Sequence, residues 1–162
     1  FNGLFRVNSK GGFNVPFGDH KNPRICYDEN LQSISKLIQN TTILKGDFTM
    51  SKDFIDSNTF VYFDPPYRPL NKTSSFTSYS KFEFTDEEQL KLATFFEKMD
   101  HKGAKMLLSN SDPKNENPED DFFEDAYESY QIYRVKASRA INSKASKRGK
   151  INELIIPNYS VE

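Results

Sequence analysis

Apolar positions along this chain recur with two periods that alternate from segment to segment. Val7 and Phe13-Asn14-Val15 flank Lys10-Gly11-Gly12, whose glycines supply positive φ, and together they predict a β-hairpin or hairpin-like loop. Leu31, Ile34, Leu37 and Ile38 then fall at helical spacing behind Asp28, a residue suited to cap a helix start. Thr42-Ile43-Leu44 predicts a short strand ended by Gly46-Asp47-Phe48, with a helical turn or two over Ser51 to Ile55. Thr59-Phe60-Val61-Tyr62-Phe63 is a continuous apolar run, the pattern of a strand buried on both faces of a parallel sheet.

Beyond that strand, a Ser/Thr/Asn-rich stretch from Arg68 to Lys81 has no periodicity and reads as a long loop. Thr85 with Glu88 forms a capping-box pattern before Leu90, Leu92, Phe95, Phe96 and Met99. After Gly103 come a strand from Ala104 to Leu108 and a turn at Ser109-Asn110-Ser111-Asp112-Pro113. A short helix near Phe122 to Tyr127 follows, then strands around Ile132 to Val135 and Glu153 to Ile156. This alternation predicts an α/β sheet with helices on both faces. The last two strands, close in sequence, predict an antiparallel pair at the sheet edge.

Composition narrows the class. A chain of 162 residues with 36 % hydrophobic and 28 % charged residues reads as one globular domain. No apolar run reaches membrane-spanning length, and nothing at the start resembles a signal peptide. The single cysteine, Cys26, has no internal partner, which fits a reducing cytoplasm. No His/Cys spacing suggests zinc. The net charge of −1 conceals an asymmetry: Glu116 to Glu128 is acidic, whereas Arg134 to Lys150 carries only positive charges. Such segregation suits either a basic face toward a polyanion or a solvated loop.

The chemistry concentrates at Asp64-Pro65-Pro66-Tyr67, directly after the apolar strand, where open α/β sheets place their ligands. One chemistry such a tetrapeptide suits is activation of an exocyclic aromatic amine, a poor nucleophile because its nitrogen lone pair is delocalised into the ring. Accepting hydrogen bonds from both amine hydrogens favours a pyramidal nitrogen whose lone pair is free to attack. Asp64 offers a carboxylate acceptor and the Pro65 carbonyl a second. Pro65 and Pro66 hold φ near −65° and remove competing N–H donors. Tyr67 offers a π-face for the base. The help expected from such a group is preorganised electrostatics rather than proton transfer by a histidine.

Phe63-Asp64-Pro65-Pro66-Tyr67 resembles the catalytic motif of S-adenosylmethionine-dependent amino-methyltransferases. Asn2 to Asn8, Phe13 to Gly18, Tyr67-Arg68-Pro69-Leu70, Phe76-Thr77-Ser78-Tyr79 and Ser109-Asn110-Ser111-Asp112 together resemble the Dam family of DNA adenine-N6 methyltransferases that act at GATC. The resemblance implies a Rossmann-like, mostly parallel sheet with an antiparallel edge pair, lacking its first βα unit, plus a small recognition hairpin. Residues 1–24 are expected to end a target-recognition region and residues 25–162 to form part of the catalytic domain.

The family's site residues carry over position by position. Asp64, Pro65, Pro66 and Tyr67 are expected to be catalytic, and Asp47, Phe48 and Asp64 to touch S-adenosylmethionine. The loop from Arg68 to Lys81 resembles a segment that orders over an extruded base. In the hairpin, Arg6 matches a guanine-reading arginine, Leu4 and Pro16 match contacts to thymine methyls, and Asn2 helps fill the gap left by the flipped base. Asn14 belongs to the same DNA-contacting set. Lys10, Lys21, Arg139, Lys147 and Arg148 are expected to meet phosphates of double-stranded DNA. The glycine-rich donor motif and a lysine-containing segment are absent from the sequence, so the partner expected for this chain is a missing N-terminal part of the same enzyme, without which it is inactive. Two alternatives remain open at this stage: an RNA or glutamine amino-methyltransferase, and a catalytically silent DNA-binding fragment.

Overall fold

Asn8 organises the first turn: its carboxamide oxygen accepts from the amides of Lys10 (2.9 Å) and Gly12 (3.0 Å). Val7 bridges Phe13 in antiparallel fashion and Gly11 adopts φ of 77°, so the expected hairpin is present. The computed structural model describes residues 6–15, 21–22, 26–70, 84–138 and 150–161. By their internal contacts the residues fall into two units, Phe1–Gly46 and Asp47–Glu162.

In the first unit the hairpin is followed by helix α1, Asp28–Leu37. Its N-cap is Tyr27 rather than Asp28. The Asp28 carboxylate instead lies in the first turn, where the helix dipole favours it, and accepts from the Cys26 thiol at 3.0 Å. Leu31, Ile34 and Leu37 keep their helical spacing but are exposed. Thr42-Ile43-Leu44 is not a strand; among the described residues no neighbouring edge pairs with it.

The second unit carries a four-stranded sheet of β1 (Phe60–Phe63), β2 (Lys105–Ser111), β3 (Tyr133–Ser138) and β4 (Lys150–Pro157). Their order is β1-β2-β4-β3. β1 runs parallel to β2, with Phe63 opposite Leu108, and β4 runs antiparallel to β2 and β3. The expected antiparallel edge pair is therefore β3 with β4. A 3₁₀ helix spans Phe48–Phe54, three residues earlier than the helical turn expected from Ser51.

β2 runs further than its apolar run suggests. Ser109, Asn110 and Ser111, expected in a turn, pair with Ile155, Leu154 and Glu153 of β4. Backbone pairing outweighs the turn preference of these polar residues, since their side chains are buried and find partners in the loop after β1.

Helix α2 (Asp86–Asp100) starts at Thr85, whose hydroxyl accepts from the Glu88 amide at 3.4 Å. The Glu88 carboxylate turns toward Lys91 (3.5 Å) instead of returning to the cap. Together α2 and the short α3 (Phe122–Ala126) bury Leu92, Phe96, Met99 and Phe123 against Phe63, Met106, Leu108, Leu154 and Ile156. Each such side chain contributes about 1.5–3 kcal/mol of hydrophobic stabilisation. Phe96 packs edge-on against Tyr127 and Tyr130. This core lies on one face of the sheet. On the other, Phe60 is 57 % and Tyr62 55 % exposed, so β1 is covered on one face among the described residues, not on two. No helix among the described residues is long and apolar enough to cross a membrane.

Candidate active site at the carboxyl end of β1

β1 stops at Phe63, where the prolines at 65 and 66 remove the amides a continuing strand would need. Asp64 therefore leaves the sheet at its carboxyl end, exposed and beside β2. The Ser109 hydroxyl lies 3.3 Å from the Asp64 carboxylate and 2.9 Å from the Tyr62 phenol. Tyr62 and Ser109 project from the same sheet face, because strand residues two apart share a face and Tyr62 is opposite Leu107. One oxygen of Asp64 is thereby steadied by a hydroxyl while the carboxylate stays open to solvent.

The backbone beyond Asp64 is held from below. The Pro66 carbonyl accepts from Gln89 Nε2 at 3.0 Å, and the Arg68 amide donates to Asn110 Oδ1 at 3.0 Å. The Ser111 hydroxyl donates to the Arg68 carbonyl at 2.6 Å. Tyr67 is half-buried between these anchored units. Burial pushes its phenol above the ordinary value, with the Ser109 hydroxyl opposing the shift.

Arg68 fastens the loop to the rest of the unit. Its guanidinium donates to both carboxylate oxygens of Asp86 (2.8 and 3.0 Å) and to Asp120 (2.8 Å). It also lies 4.3 Å from the Phe122 ring centroid. A planar fork can serve two carboxylates and an aromatic face at once, which an ammonium cannot.

Asp47 caps the 3₁₀ helix by accepting from the Thr49 amide at 2.9 Å, and its second oxygen accepts from Lys91 Nζ at 2.7 Å. The Lys91 ammonium, followed by the Thr49 hydroxyl and amide, lowers the Asp47 carboxyl to about 2. Phe48 packs on Phe95 at 5.5 Å, and Phe95 on Phe63 at 6.2 Å. This chain of rings links the Asp47-Phe48 segment through Phe95 to Phe63, the residue preceding Asp64.

The expected DNA-contacting residues are placed only in part. In the first unit, Arg6 folds across the hairpin, with Nε donating to Asn14 Oδ1 and Nη2 to the Asn14 carbonyl, both at 2.9 Å. Lys10 and Lys21 are exposed. Asn2, Leu4, Pro16, Arg139, Lys147 and Arg148 lie outside the described residues, as does 71–83 of the long loop. Arg134, which opens the basic run, is engaged within the fold by Asp112 (2.9 Å) and Glu124. Lys114 likewise pairs with Asp121 and Glu124. The acidic stretch is thus partly neutralised internally rather than forming a free negative face.

Three contributors escape a pattern reading. Gln89, Asn110 and the staple made by Arg68 draw their importance from long-range contacts. Gln89 does leave a trace: with Leu92, Ala93 and Phe96 at i+3, i+4 and i+7, it is a polar residue on the apolar stripe of α2. Leu90, taken as part of that stripe, is 48 % exposed, whereas Gln89 is 1 % exposed.

The family model described as D12 class N6 adenine-specific DNA methyltransferase matches residues 1–141. The chain is 52 % identical over 160 residues to the Type II methyltransferase M.MjaIII of Methanocaldococcus jannaschii, covering 98 % of this chain and 53 % of the relative. It is 36 % identical over 156 residues to a DNA adenine methylase of Vibrio cholerae (96 % and 53 %). To the DNA adenine methylase of Escherichia coli K12 it is 34 % identical over 155 residues (96 % and 53 %). The chain spans about half the length of these relatives. Enzymes of this class take their methyl group from S-adenosylmethionine. On the match of family model and relatives, this chain belongs to the D12 class of N6 adenine-specific DNA methyltransferases.

Proposed function

We propose that this chain forms the target-base half of the active site of an enzyme that methylates adenine N6 within GATC in double-stranded DNA. The observation that carries the proposal is the exposed Asp64 carboxylate, steadied by Ser109 at the carboxyl end of β1 and followed by a loop with anchored carbonyls. In this reading Asp64 and the Pro65 carbonyl accept the two amine hydrogens, and Tyr67 stacks on the extruded base. Arg6 leaves Asn14 to read guanine, Leu4, Pro16, Asn2 and Asn14 contact the surrounding bases, and Lys10, Lys21, Arg139, Lys147 and Arg148 meet phosphates.

Asp47 and Phe48 are the residues proposed to hold S-adenosylmethionine together with Asp64. Their fit rests on a solvent-accessible carboxylate beside a half-buried ring, suited to a cationic ligand bearing an aromatic group once Asp47 exchanges or shares its Lys91 partner. When bound, the donor supplies an electrophilic methyl group on a sulfonium. Among the described residues no glycine-rich turn follows a buried strand, so a further part of the same enzyme is proposed to complete the donor pocket. The isolated chain is accordingly proposed to be inactive.

Mass spectrometry of nucleosides from GATC-containing duplexes, GATC-free duplexes and RNA, each treated separately with the full-length enzyme, tests the reading. N6-methyladenine in the GATC-containing duplexes alone is expected. Methylated RNA, N4-methylcytosine, or methyladenine outside GATC would refute the assigned substrate.

A further inference from the structure

We infer that Gln89 is a positioning residue for methyl transfer, fixing the backbone of the proline motif from inside the hydrophobic core. Gln89 is 1 % exposed, on the helix face that also buries Leu92 and Phe96. A primary amide at such a place is costly unless its groups are paired. Nε2 donates to the Pro66 carbonyl at 3.0 Å and Oε1 accepts from Asn110 Nδ2 at 3.1 Å. Asn110, fully buried, accepts in turn from the amides of Arg68 (3.0 Å) and Ser111 (2.9 Å).

The consequence follows from the chemistry of proline. Neither Pro65 nor Pro66 has an amide hydrogen, so this part of the loop can be anchored only through its carbonyls. The ring fixes φ at Pro66, so only the ψ rotation of Pro66 separates its held carbonyl from the preceding peptide plane, which carries the Pro65 carbonyl; anchoring the first carbonyl narrows the range open to the second. Gln89 thus acts on the second amine acceptor without touching the substrate, and Asn110 extends the restraint to the far side of Tyr67. A purely structural glutamine would stabilise the fold without setting the rate of the chemical step.

The inference rests on the proposed methyltransferase reading, so the first measurement is methylation of duplex DNA by the unaltered full-length enzyme. Its failure would sink that reading whatever Gln89 does. Given wild-type activity, Gln89→Met and Gln89→Glu are compared in single-turnover rate, DNA affinity and pH profile. Gln89→Met, similar in volume but without the amide, is expected to slow methyl transfer at least tenfold while the DNA Kd stays within threefold. Gln89→Glu retains the acceptor for Asn110 but donates to the Pro66 carbonyl only when protonated. Its rate relative to wild type is expected to rise as pH falls from 8.5 to 5.5. A Gln89→Met rate within threefold of wild type overturns the inference, as does an equal loss of rate and DNA affinity. If Gln89→Met does not fold, Gln89→Glu decides alone, and a rate ratio independent of pH overturns it.

Discussion

The Tyr62 phenol and the Ser109 hydroxyl lie 2.9 Å apart, and the same hydroxyl is 3.3 Å from the Asp64 carboxylate. A carboxylate only accepts, so the Ser109 hydroxyl donates its hydrogen bond to Asp64 and accepts one from the Tyr62 phenol. Two strands of the sheet, β1 and β2, thereby converge on one carboxylate oxygen and leave the rest of the group open.

Removing that relay should affect the chemical step more than binding. For Ser109→Ala a fall of roughly tenfold in kcat is expected, and a smaller one for Tyr62→Phe, because the carboxylate loses orientation but not charge. Steady-state kinetics on a duplex substrate check this; a rise in KM for DNA with unchanged kcat would contradict the orienting role.

Arg68 should matter for stability. Arg68→Lys keeps the charge but loses the fork shared by Asp86 and Asp120 and the contact with Phe122. A loss of about 1.5–3 kcal/mol is expected from urea unfolding, the scale of hydrogen bonds to charged groups. A change below about 0.5 kcal/mol, the usual range for surface substitutions, would show the staple to be dispensable.

Asp47 offers a test by titration. Its carboxyl is lowered to about 2 by Lys91 and Thr49. A folded-state value below the unfolded one stabilises the protein above the ordinary carboxyl range. That contribution disappears as pH falls from about 4 toward 2. Because the pair is exposed, its contribution is small and weakens with salt. Lys91→Met should move the Asp47 titration upward in carbon-detected NMR; an unmoved titration would remove Lys91 as its main cause.

In the hairpin, Arg6→Ala should relax the preference for guanine by about 1–3 kcal/mol of discrimination, with little loss of fold. Methylation rates on substrates altered at that base measure the change. An undiminished preference would exclude Arg6 as the reader.

Much of this was legible because the relevant signals are local. The glycine pair marks the hairpin, the apolar run marks β1, and the tetrapeptide at its end marks the site. What the sequence conceals depends on partners distant along the chain. The strand at Thr42 to Leu44 fails because local apolarity cannot provide an edge to pair with. Ser109 to Ser111 join β2 because β4, more than 40 residues later, supplies the ladder. Tyr62 and Phe60 are exposed because a run of apolar residues does not state which face is covered. Arg134 reads as one of several free cations until Asp112 and Glu124 are seen to hold it.

Asp64 is the residue proposed to prepare the target amine for methylation. The most direct measurement compares wild type and Asp64→Ala full-length enzyme for methyl incorporation into a GATC duplex, with DNA affinity measured in parallel. Turnover is expected to fall by far more than tenfold while DNA binding largely survives. Turnover within tenfold of wild type would contradict that role.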